Sequence, residues 1–436
     1  MSRIYIVSLG CNKNLVDTEV MLGMLEKGGH TIINSPGEAE VIIINTCGFI
    51  TEAKQEGINT IFEMLQYKPS CRAVIATGCL AERYPRQLME EIPELDGLMG
   101  VYQYPRICEC VQAALNGERP VFTGGTAQYL DWAASCRKLA TPPYMAYLKI
   151  SEGCNNHCGY CAIPGIRGKY VPRSFESLMA EAEALKRRGV KELNVTAQDI
   201  TVYRDKDKGL LDLIKALDRL GFEWIRLLYA YPGRVSDPLL EYMNDSESVC
   251  NYLDVPIQHV RNNVLSAMNR HYVQADITHL YDKIRSFNSG WGIRTTVMTG
   301  YPGETSRDYA ALLNYITLHP FDHLGAFVFS PEENTPAMQM EHKVRLSTAN
   351  ARLDGLMLRQ GEISHRLNQE RIGRTYKMLI EGADEESGQY YGRCFFQGPD
   401  VDGRTFLDAD CALKPGDMIN VVVSDAFAYD LYAQLA

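Results

Sequence analysis

The most closely spaced cysteines of the chain lie in the segment Ser151-Glu152-Gly153-Cys154-Asn155-Asn156-His157-Cys158-Gly159-Tyr160-Cys161. Their spacing is C-x3-C-x2-C, and the segment directly follows a strand-like run at residues 144–150. Three thiolates in one short loop can bind three irons of a cubane [4Fe–4S] cluster. The fourth iron then lacks a protein ligand. The spacing therefore predicts a metal centre with one open, reactive site.

The open iron suits S-adenosylmethionine, which can chelate it through its amino and carboxylate groups. The alternative is a zinc loop, which needs four ligands, usually in two pairs. No second pair lies near these cysteines in the sequence, and His157 is confined between two of them. We therefore interpret Cys154, Cys158 and Cys161 as ligands of a cluster rather than of zinc.

A strand followed by a helix recurs about six times around this segment. The predicted strands are residues 144–150, 192–196, 224–229, 252–257, 293–298 and 324–329, and a long helix at residues 346–369 follows them. Six units of this length favour an incomplete (β/α) barrel, whose chemistry lies in the loops at the carboxyl ends of the strands. The cysteine loop occupies one of these positions.

Other segments at carboxyl ends of strands are candidates for contacts to the cofactor. Gly300-Tyr301-Pro302-Gly303-Glu304 follows the fifth strand, and its glycines permit close approach of a ligand. Alone, it is equally consistent with an ordinary tight turn. We predict contacts to S-adenosylmethionine from Gly300, Gly303, Glu304, Gln198 and Gln258. For part of this rim a purely structural role stays open.

The first 123 residues also alternate strands and helices. Residues 4–9, 41–45 and 73–77 are predicted strands, and 17–27 and 51–65 are predicted amphipathic helices. This alternation favours an open, mostly parallel sheet covered by helices. Each of the three strands leads within a few residues to a cysteine, namely Cys11, Cys47 and Cys79. Because the carboxyl ends of parallel strands share one edge, these thiols are expected to meet.

The alternative for Cys11, Cys47 and Cys79 is three separate buried thiols. The recurrence of one position after three strands favours a second cluster site. The remaining cysteines lack this pattern, and we interpret them as structural; they are at positions 71, 108, 110, 136, 250, 394 and 411.

These patterns divide the chain into four predicted parts. They are an N-terminal domain (1–123), a linker (124–142), the barrel core (143–369) and a C-terminal domain (370–436). In the last part, short strands at 375–380, 389–394 and 418–424 favour a small antiparallel, OB-like β-barrel. From residue 371 onward it carries six Lys or Arg against eleven Asp or Glu, a net charge of −5.

The composition of the whole chain disfavours several classes of protein. The net charge of −10 does not favour binding to phosphate backbones, so nucleic acid is not expected as substrate. Thirteen cysteines, an odd number, argue against a disulfide framework. No run approaches the roughly 18 apolar residues that cross a bilayer. The first residues read as a strand rather than a signal peptide, so the expected location is the cytoplasm.

The two cysteine triads and the C-terminal barrel together resemble the radical S-adenosylmethionine methylthiotransferase family along essentially the whole chain. In that family the last domain is called TRAM. The motifs similar to its RimO branch are Gly10-Cys11-Asn12-Lys13-Asn14-Leu15-Val16-Asp17, Asn45-Thr46-Cys47-Gly48-Phe49-Ile50, Ser151-Glu152-Gly153-Cys154-Asn155 and Ala428-Tyr429-Asp430-Leu431. The MiaB-like branches, which modify tRNA, typically have other residues around these cysteines. The chain departs from the family's usual pattern at Asn12, where a smaller residue or proline is commoner.

The resemblance implies an enzyme that attaches a methylthio group to the β-carbon of one aspartate in small-subunit ribosomal protein S-twelve. It implies two [4Fe–4S] clusters. The catalytic Cys154, Cys158 and Cys161 would hold the cluster that reduces S-adenosylmethionine to a 5′-deoxyadenosyl radical, which removes hydrogen from the aspartate. The cluster of Cys11, Cys47 and Cys79 would present sulfur, which makes Cys47 catalytic as well. A second S-adenosylmethionine would supply the methyl group.

The resemblance also implies an electron donor such as flavodoxin or ferredoxin. Two alternatives stay open at this point. One is a tRNA adenosine methylthiotransferase with the same machinery. The other is an RNA-binding protein that is stabilised by zinc or a cluster and has no catalytic activity.

Overall fold

The computed structural model describes residues 1–126, 137–287 and 290–436. Within these ranges the chain forms two open six-stranded sheets, one closed five-stranded barrel and two short two-stranded sheets. In the same ranges, no helix combines the length and the apolar character needed to span a membrane.

The first sheet is entirely parallel, with the strand order β2-β1-β3-β4-β5-β6. Its strands and helices are β1 (Arg3–Ser8), α1 (Asn12–Lys27), β2 (Thr31–Ile32), β3 (Val41–Thr46), α2 (Thr51–Leu65), β4 (Ala73–Gly78), α3 (Cys79–Arg83), α4 (Pro85–Glu91), β5 (Gly97–Met99), α5 (Ile107–Leu115) and β6 (Val121–Phe122). Every residue of β3 and β4 is buried, as in central strands covered on both faces. The predicted open parallel α/β architecture is confirmed.

The second sheet is also parallel and has the order β16-β15-β14-β13-β10-β7. The elements of this part are β7 (Met145–Lys149), β8 (Ser151–Glu152), α6 (Ile163–Arg167), β9 (Val171–Pro172), α7 (Phe175–Arg187), β10 (Glu192–Thr196), β11 (Arg204–Asp205), β12 (Lys208–Gly209), α8 (Leu210–Asp218), β13 (Trp224–Leu227), α9 (Asp237–Asp245), β14 (Val249–Asp254), α10 (Asn262–Ala267), α11 (Gln274–Phe287), β15 (Gly292–Thr299), α12 (Ser306–Leu318), β16 (His323–Val328) and α13 (Leu346–Gln369). Because β7 and β16 are the two edges of this sheet, the barrel is incomplete, as predicted.

Two strands of this sheet end earlier than the sequence pattern predicts. The third strand stops at Leu227, because Tyr229 has a left-handed backbone with φ of 65°. The fourth strand stops at Asp254, two residues before Pro256, which lacks the N–H that a strand ladder needs. Both differences lengthen the loops at the carboxyl edge, where the site is expected.

The C-terminal part forms the closed barrel, with the order β17-β18-β19-β21-β20. Its strands are β17 (Thr375–Ala383), β18 (Tyr390–Cys394), β19 (Thr405–Leu407), β20 (Met418–Ala426) and β21 (Leu431–Leu435). Neighbours are antiparallel except β19 and β21, which are parallel. Buried ion pairs fix this barrel to the core, including Arg393–Glu192 at 2.6 Å and Arg294–Asp402 at 2.7 Å.

The N-terminal domain is fixed to the core by two helices that cross between them. Val16 of α1 belongs to a hydrophobic cluster with Tyr147 and Leu228 of the core. In the other direction, Ala162 and Ile166, from the segment after the cysteine loop, are buried in the hydrophobic core of the N-terminal sheet. The helix α6, six residues or fewer from Cys161, therefore belongs structurally to both parts.

Candidate functional site

The C-x3-C-x2-C loop is anchored at its base and near its middle. At the base, β8 and β9 pair in antiparallel register. Farther along, the backbone N–H of Gly159 donates to the carbonyl of Met268 at 2.9 Å. The Arg270 guanidinium donates to the Cys158 Sγ at 3.4 Å. The core triad, Cys154, Cys158 and Cys161, is thus fixed by the short hairpin at its base and by contacts from Met268 and Arg270.

The N-terminal triad, Cys11, Cys47 and Cys79, follows three adjacent strands, β1, β3 and β4. Glycines allow the loops after these strands to touch. A Cβ on Gly10 would lie 2.7 Å from the Cβ of Cys47, and a Cβ on Gly48 would lie 2.8 Å from the backbone N of Leu80. Neither position has room for a side chain. The expected convergence of these three cysteines at one sheet edge is what the fold produces.

Both triads open into the same cavity. All six cysteines line a single space of about 360 Å³. Its remaining walls come from both parts of the chain and include several aromatic rings: Lys13, Phe49, Asn156, Tyr160, Ile163, Arg167, Gln198, Asp199, Tyr229, Ala230, Tyr231, Pro256, Gln258, Arg270, Thr296 and Phe327. The six other described cysteines do not line it, and Cys136 lies outside the described residues.

The spacing of the thiols does not suit a single metal ion. Within the described residues, no three His, Cys, Asp or Glu side chains are close enough together to hold one ion. A zinc site requires four such ligands around one point. In a cubane each thiolate binds a different iron, which separates the sulfurs more widely. Each triad supplies three thiols, and three thiols are the donor set that binds three irons of a cubane.

Burial raises the pKa of most of these thiols. It raises the pKa of Cys79 to about 12 against the opposing effect of Arg167, and it raises the pKa of Cys161 to about 12. Burial also opposes ionisation of Cys11, but Lys13 and Arg167, together with backbone amides at the start of α1, outweigh it and lower its pKa. Since metals bind thiolates, cluster assembly must release protons from buried thiols.

Arg167 connects the core to the N-terminal triad. It lies at the end of α6, in the core, yet its Nε donates to the Cys79 Sγ at 3.2 Å. Its Nη1 donates to Asp17 at 2.9 Å and to Glu152 at 2.8 Å, and Lys149 pairs with the same two carboxylates. This buried network fixes the position of one triad relative to the other.

The predicted cofactor contacts fall into two groups. Gln198 and Gln258 line the cavity, and the side-chain Oε1 of each is buried without a hydrogen-bond partner. Such orphaned acceptors fit a polar ligand at this wall. Gly300, Gly303 and Glu304 do not line the cavity.

Glu304 is buried beneath the predicted rim. It accepts from the Gly300 N–H and from Arg352 at 2.9 Å, while His259 lies 3.6 Å away. In this arrangement the carboxylate orders the turn that begins at Gly300.

The sequence patterns did not single out three cationic side chains at the cavity: Lys13, Arg167 and Arg270. Arg167 and Arg270 reach thiols that are 88 and 112 residues away in the chain, respectively. The one signal available was proximity, since Lys13 stands two residues after Cys11 and Arg167 six after Cys161.

Three family models match successive parts of the chain. Residues 3–100 match an uncharacterized protein family, UPF0004; residues 148–316 match the radical SAM superfamily; residues 372–435 match the TRAM domain. These ranges coincide with the open sheet, the incomplete barrel and the closed barrel.

Curated relatives match over the whole length. The ribosomal protein uS12 methylthiotransferase RimO of Pelotomaculum thermopropionicum is 43% identical over 436 residues, covering 98% of each chain. That of Desulforamulus reducens is 42% identical and covers 100% of each chain. The chain belongs to the RimO family. Members of this radical SAM family use S-adenosylmethionine and [4Fe–4S] clusters, which fits the thiol sets and orphaned acceptors of this RimO-family cavity.

Solved structures resemble this RimO-family chain in fold alone. The radical S-adenosylmethionine methyltransferase TsrM from Kitasatospora setae is 14% identical, with a TM-score of 0.59 and coverage of 77% of this chain and 74% of that one. The cobalamin-dependent radical enzyme OxsB is 12% identical, with a TM-score of 0.51 and coverage of 83% and 56%.

Proposed function

We propose that the chain is a radical S-adenosylmethionine enzyme that adds a methylthio group to the β-carbon of an aspartate in ribosomal protein uS12. The observation that supports this most directly is the shared cavity, because all six cysteines of the two triads line it. Two separate activities would not require the triads to face each other. A transfer of sulfur to a carbon activated at the other triad does require it.

The proposed ligands are Cys154, Cys158 and Cys161 for one cluster and Cys11, Cys47 and Cys79 for the other. When bound, the first cluster supplies the electron that cleaves S-adenosylmethionine and the second presents sulfur. The chain itself provides ligands, orientation and a dry space. Aromatic side chains such as Tyr160, Tyr229 and Phe327 wall the cavity, and they exclude water from reactive species.

We propose contacts to S-adenosylmethionine from Gln198 and Gln258, which line this space and whose Oε1 atoms have no hydrogen-bond partner among the described residues. Gly300, Gly303 and Glu304 would act from behind the rim, by ordering the turn through the hydrogen bonds of Glu304. An electron donor such as flavodoxin or ferredoxin would serve the core triad. Because ribosomal subunits are made in the cytoplasm, the reaction is expected there.

Two observations favour a protein substrate over tRNA: the name of the relatives, which gives ribosomal protein uS12, and the charge of the C-terminal barrel. Among side chains exposed from residue 371 onward, seven are acidic (Asp384, Glu385, Glu386, Asp400, Asp408, Asp410 and Asp425) and four are basic (Arg374, Lys377, Arg404 and Lys414). The net charge of these exposed side chains is −3. An RNA-binding barrel needs cations along the phosphate path, whereas a basic ribosomal protein is attracted to acids.

The test is mass spectrometry of small-subunit ribosomal proteins from strains with and without this gene. The methylthio mass increment on an aspartate of uS12 should disappear in the deleted strain and return with the gene. Purified, reconstituted enzyme should add the same mass in vitro. If it modifies tRNA and leaves uS12 unchanged, the tRNA adenosine methylthiotransferase replaces this proposal.

A further inference from the structure

One buried cation differs from the others that the structure describes. Nine Lys and Arg side chains are buried within the described residues, and eight of them form an ion pair with a carboxylate. Lys13 is the exception, although it is only 9% exposed. Burying an ammonium without a counter-charge is costly, so such a group calls for a partner.

The position of Lys13 in its helix adds to this cost. Lys13 lies in the first turn of α1, where the partial positive charge of the helix disfavours a cation. This turn contains no acidic residue that would compensate. The helix itself therefore does not favour a lysine at this position. The Lys13 side chain acts on Cys11, whose pKa it lowers, and on the cavity wall that it faces.

The ammonium of Lys13 lies in the shared cavity on the side of the core. Its Nζ is 3.4 Å from the centroid of the Tyr229 ring, a close cation–π contact. Tyr229 stands at the carboxyl end of β13, so the contact spans the two parts of the chain at the cavity wall. The ammonium also makes a side-chain hydrogen bond to Tyr229. Because an ammonium has three N–H donors, others remain for a ligand in the cavity.

Two groups within the chain are alternative partners. Burial raises the pKa of Asp254 and the charge of Lys13 opposes this rise, but the two side chains do not form an ion pair within 4 Å. The thiol of Cys11 is two residues away, yet the contact that fixes the ammonium is with Tyr229. Direct donation to the N-terminal triad comes instead from Arg167, to Cys79. Cys11, whose pKa Lys13 lowers, is itself a proposed cluster ligand, so neither group gives the ammonium a carboxylate partner.

We propose that Lys13 binds the side-chain carboxylate of the substrate aspartate. The inference rests on the proposed function and deepens it, because it names the group that selects aspartate. A carboxylate entering this buried space needs a cation. Among the described residues, Lys13 is the cation of the cavity wall that neither pairs with a carboxylate nor donates a hydrogen bond to a thiol. Binding of the carboxylate would fix the position of the β-carbon, which is bonded to the carboxylate carbon, in the cavity that the two triads share. An asparagine amide would lack the negative charge, and only its carbonyl oxygen could accept from the ammonium.

The experiment measures binding of two matched peptides to the reconstituted holoenzyme. One peptide carries the modified aspartate of the ribosomal protein, and the other has asparagine at that position. Calorimetry should show the unaltered enzyme binding the aspartate peptide about ten- to a hundredfold more tightly. Lys13→Met should erase this preference. Lys208→Met is the matched control, because Lys208 also lies over a ring, that of Phe175 at 3.8 Å, but outside the cavity.

Two further measurements separate a substrate role from a structural one. After full reconstitution, the iron content and the melting temperature of the Lys13→Met holoenzyme should match those of the unaltered enzyme, because all three thiols of the N-terminal triad remain and no carboxylate loses its partner. Loss of the effect of Lys13 on the pKa of Cys11 should slow only the uptake of iron. A loss of iron or of stability would overturn the inference and assign Lys13 to the cluster or the fold. An unchanged peptide preference in Lys13→Met would overturn it too. In both cases methylthiolation of uS12 by the unaltered enzyme shows that the proposed function still stands.

Discussion

The two cysteine triads reach one cavity by different routes. The core triad comes from eight consecutive residues, 154–161, in a loop closed by β8 and β9. The N-terminal triad comes from three strand ends, with 35 residues between Cys11 and Cys47 and 31 between Cys47 and Cys79. The first depends on local spacing. The second depends on the packing of a whole sheet and on Arg167, which the core supplies.

This difference predicts that the triads can be disabled separately, and the largest expected effect is on cofactor cleavage. Cys154→Ala, Cys158→Ala or Cys161→Ala should abolish reductive cleavage of S-adenosylmethionine, because the electron source is lost. Cys11→Ala, Cys47→Ala or Cys79→Ala should leave cleavage measurable while ending methylthio transfer. Chromatography of 5′-deoxyadenosine and mass spectrometry of the substrate measure both products. Full product from a Cys47→Ala enzyme would show that the N-terminal triad does not deliver sulfur.

The next prediction concerns iron and a glycine that only the N-terminal triad needs. The reconstituted chain should bind about eight irons, four for each [4Fe–4S] cluster. Gly48→Ala should bind about four, because its Cβ would collide with the backbone of Cys79 and Leu80 and separate the triad. Cleavage of S-adenosylmethionine should persist in this variant. Iron analysis and absorption spectra measure the result.

Gly165→Ala is the matched control for that experiment. Gly165 lies in α6 beside the core triad, and a Cβ there would meet no atom within 4 Å. This variant should keep all of its iron. Stoichiometric zinc, or only four irons in the fully loaded unaltered chain, would contradict the assignment of two clusters.

The sequence predicted both triads because each leaves a pattern along the chain. The core triad has its spacing, and the N-terminal triad has a repeated position after buried strands. Lys13 and Arg167 left no such pattern, since their partners, Tyr229 and Cys79, are distant in sequence. The early end of β13 was missed for a related reason, because the left-handed backbone of Tyr229 depends on its tertiary surroundings.

Charge counting shows a second limit of the sequence. The C-terminal part has a net charge of −5 by composition, but some of its charges never reach the surface. Arg371 and Arg393 are buried in ion pairs with the core, and the Asp402 side chain is fully enclosed beside Arg294. Exposed charges alone give −3. The net charge of the exposed surface is still negative but smaller in magnitude, so the effect expected from this surface is modest.

The smallest predicted effect tests whether this acidic surface recruits substrate to the cavity. Glu385 and Glu386 are exposed in the turn between β17 and β18, whereas Asp384 holds that turn by accepting from the backbone N–H groups of Glu386 and Ser387. Reversing both glutamates to lysine should therefore leave the fold intact. Modification of uS12 should slow by about three- to tenfold at low salt, because opposite charges speed encounter. Added salt should slow the unaltered enzyme in the same way.

Glu90→Lys with Glu91→Lys is the control for that double variant. These adjacent glutamates are exposed in the N-terminal domain, and their reversal changes the net charge by the same amount. If the acids of the C-terminal barrel recruit uS12 locally, the control enzyme should modify it at nearly the normal rate, and both variants should cleave S-adenosylmethionine normally. Equal slowing in both variants would show that net charge alone sets the encounter rate. In that case the barrel would act as a support that buried ion pairs fix to the core, rather than as the surface that selects the substrate.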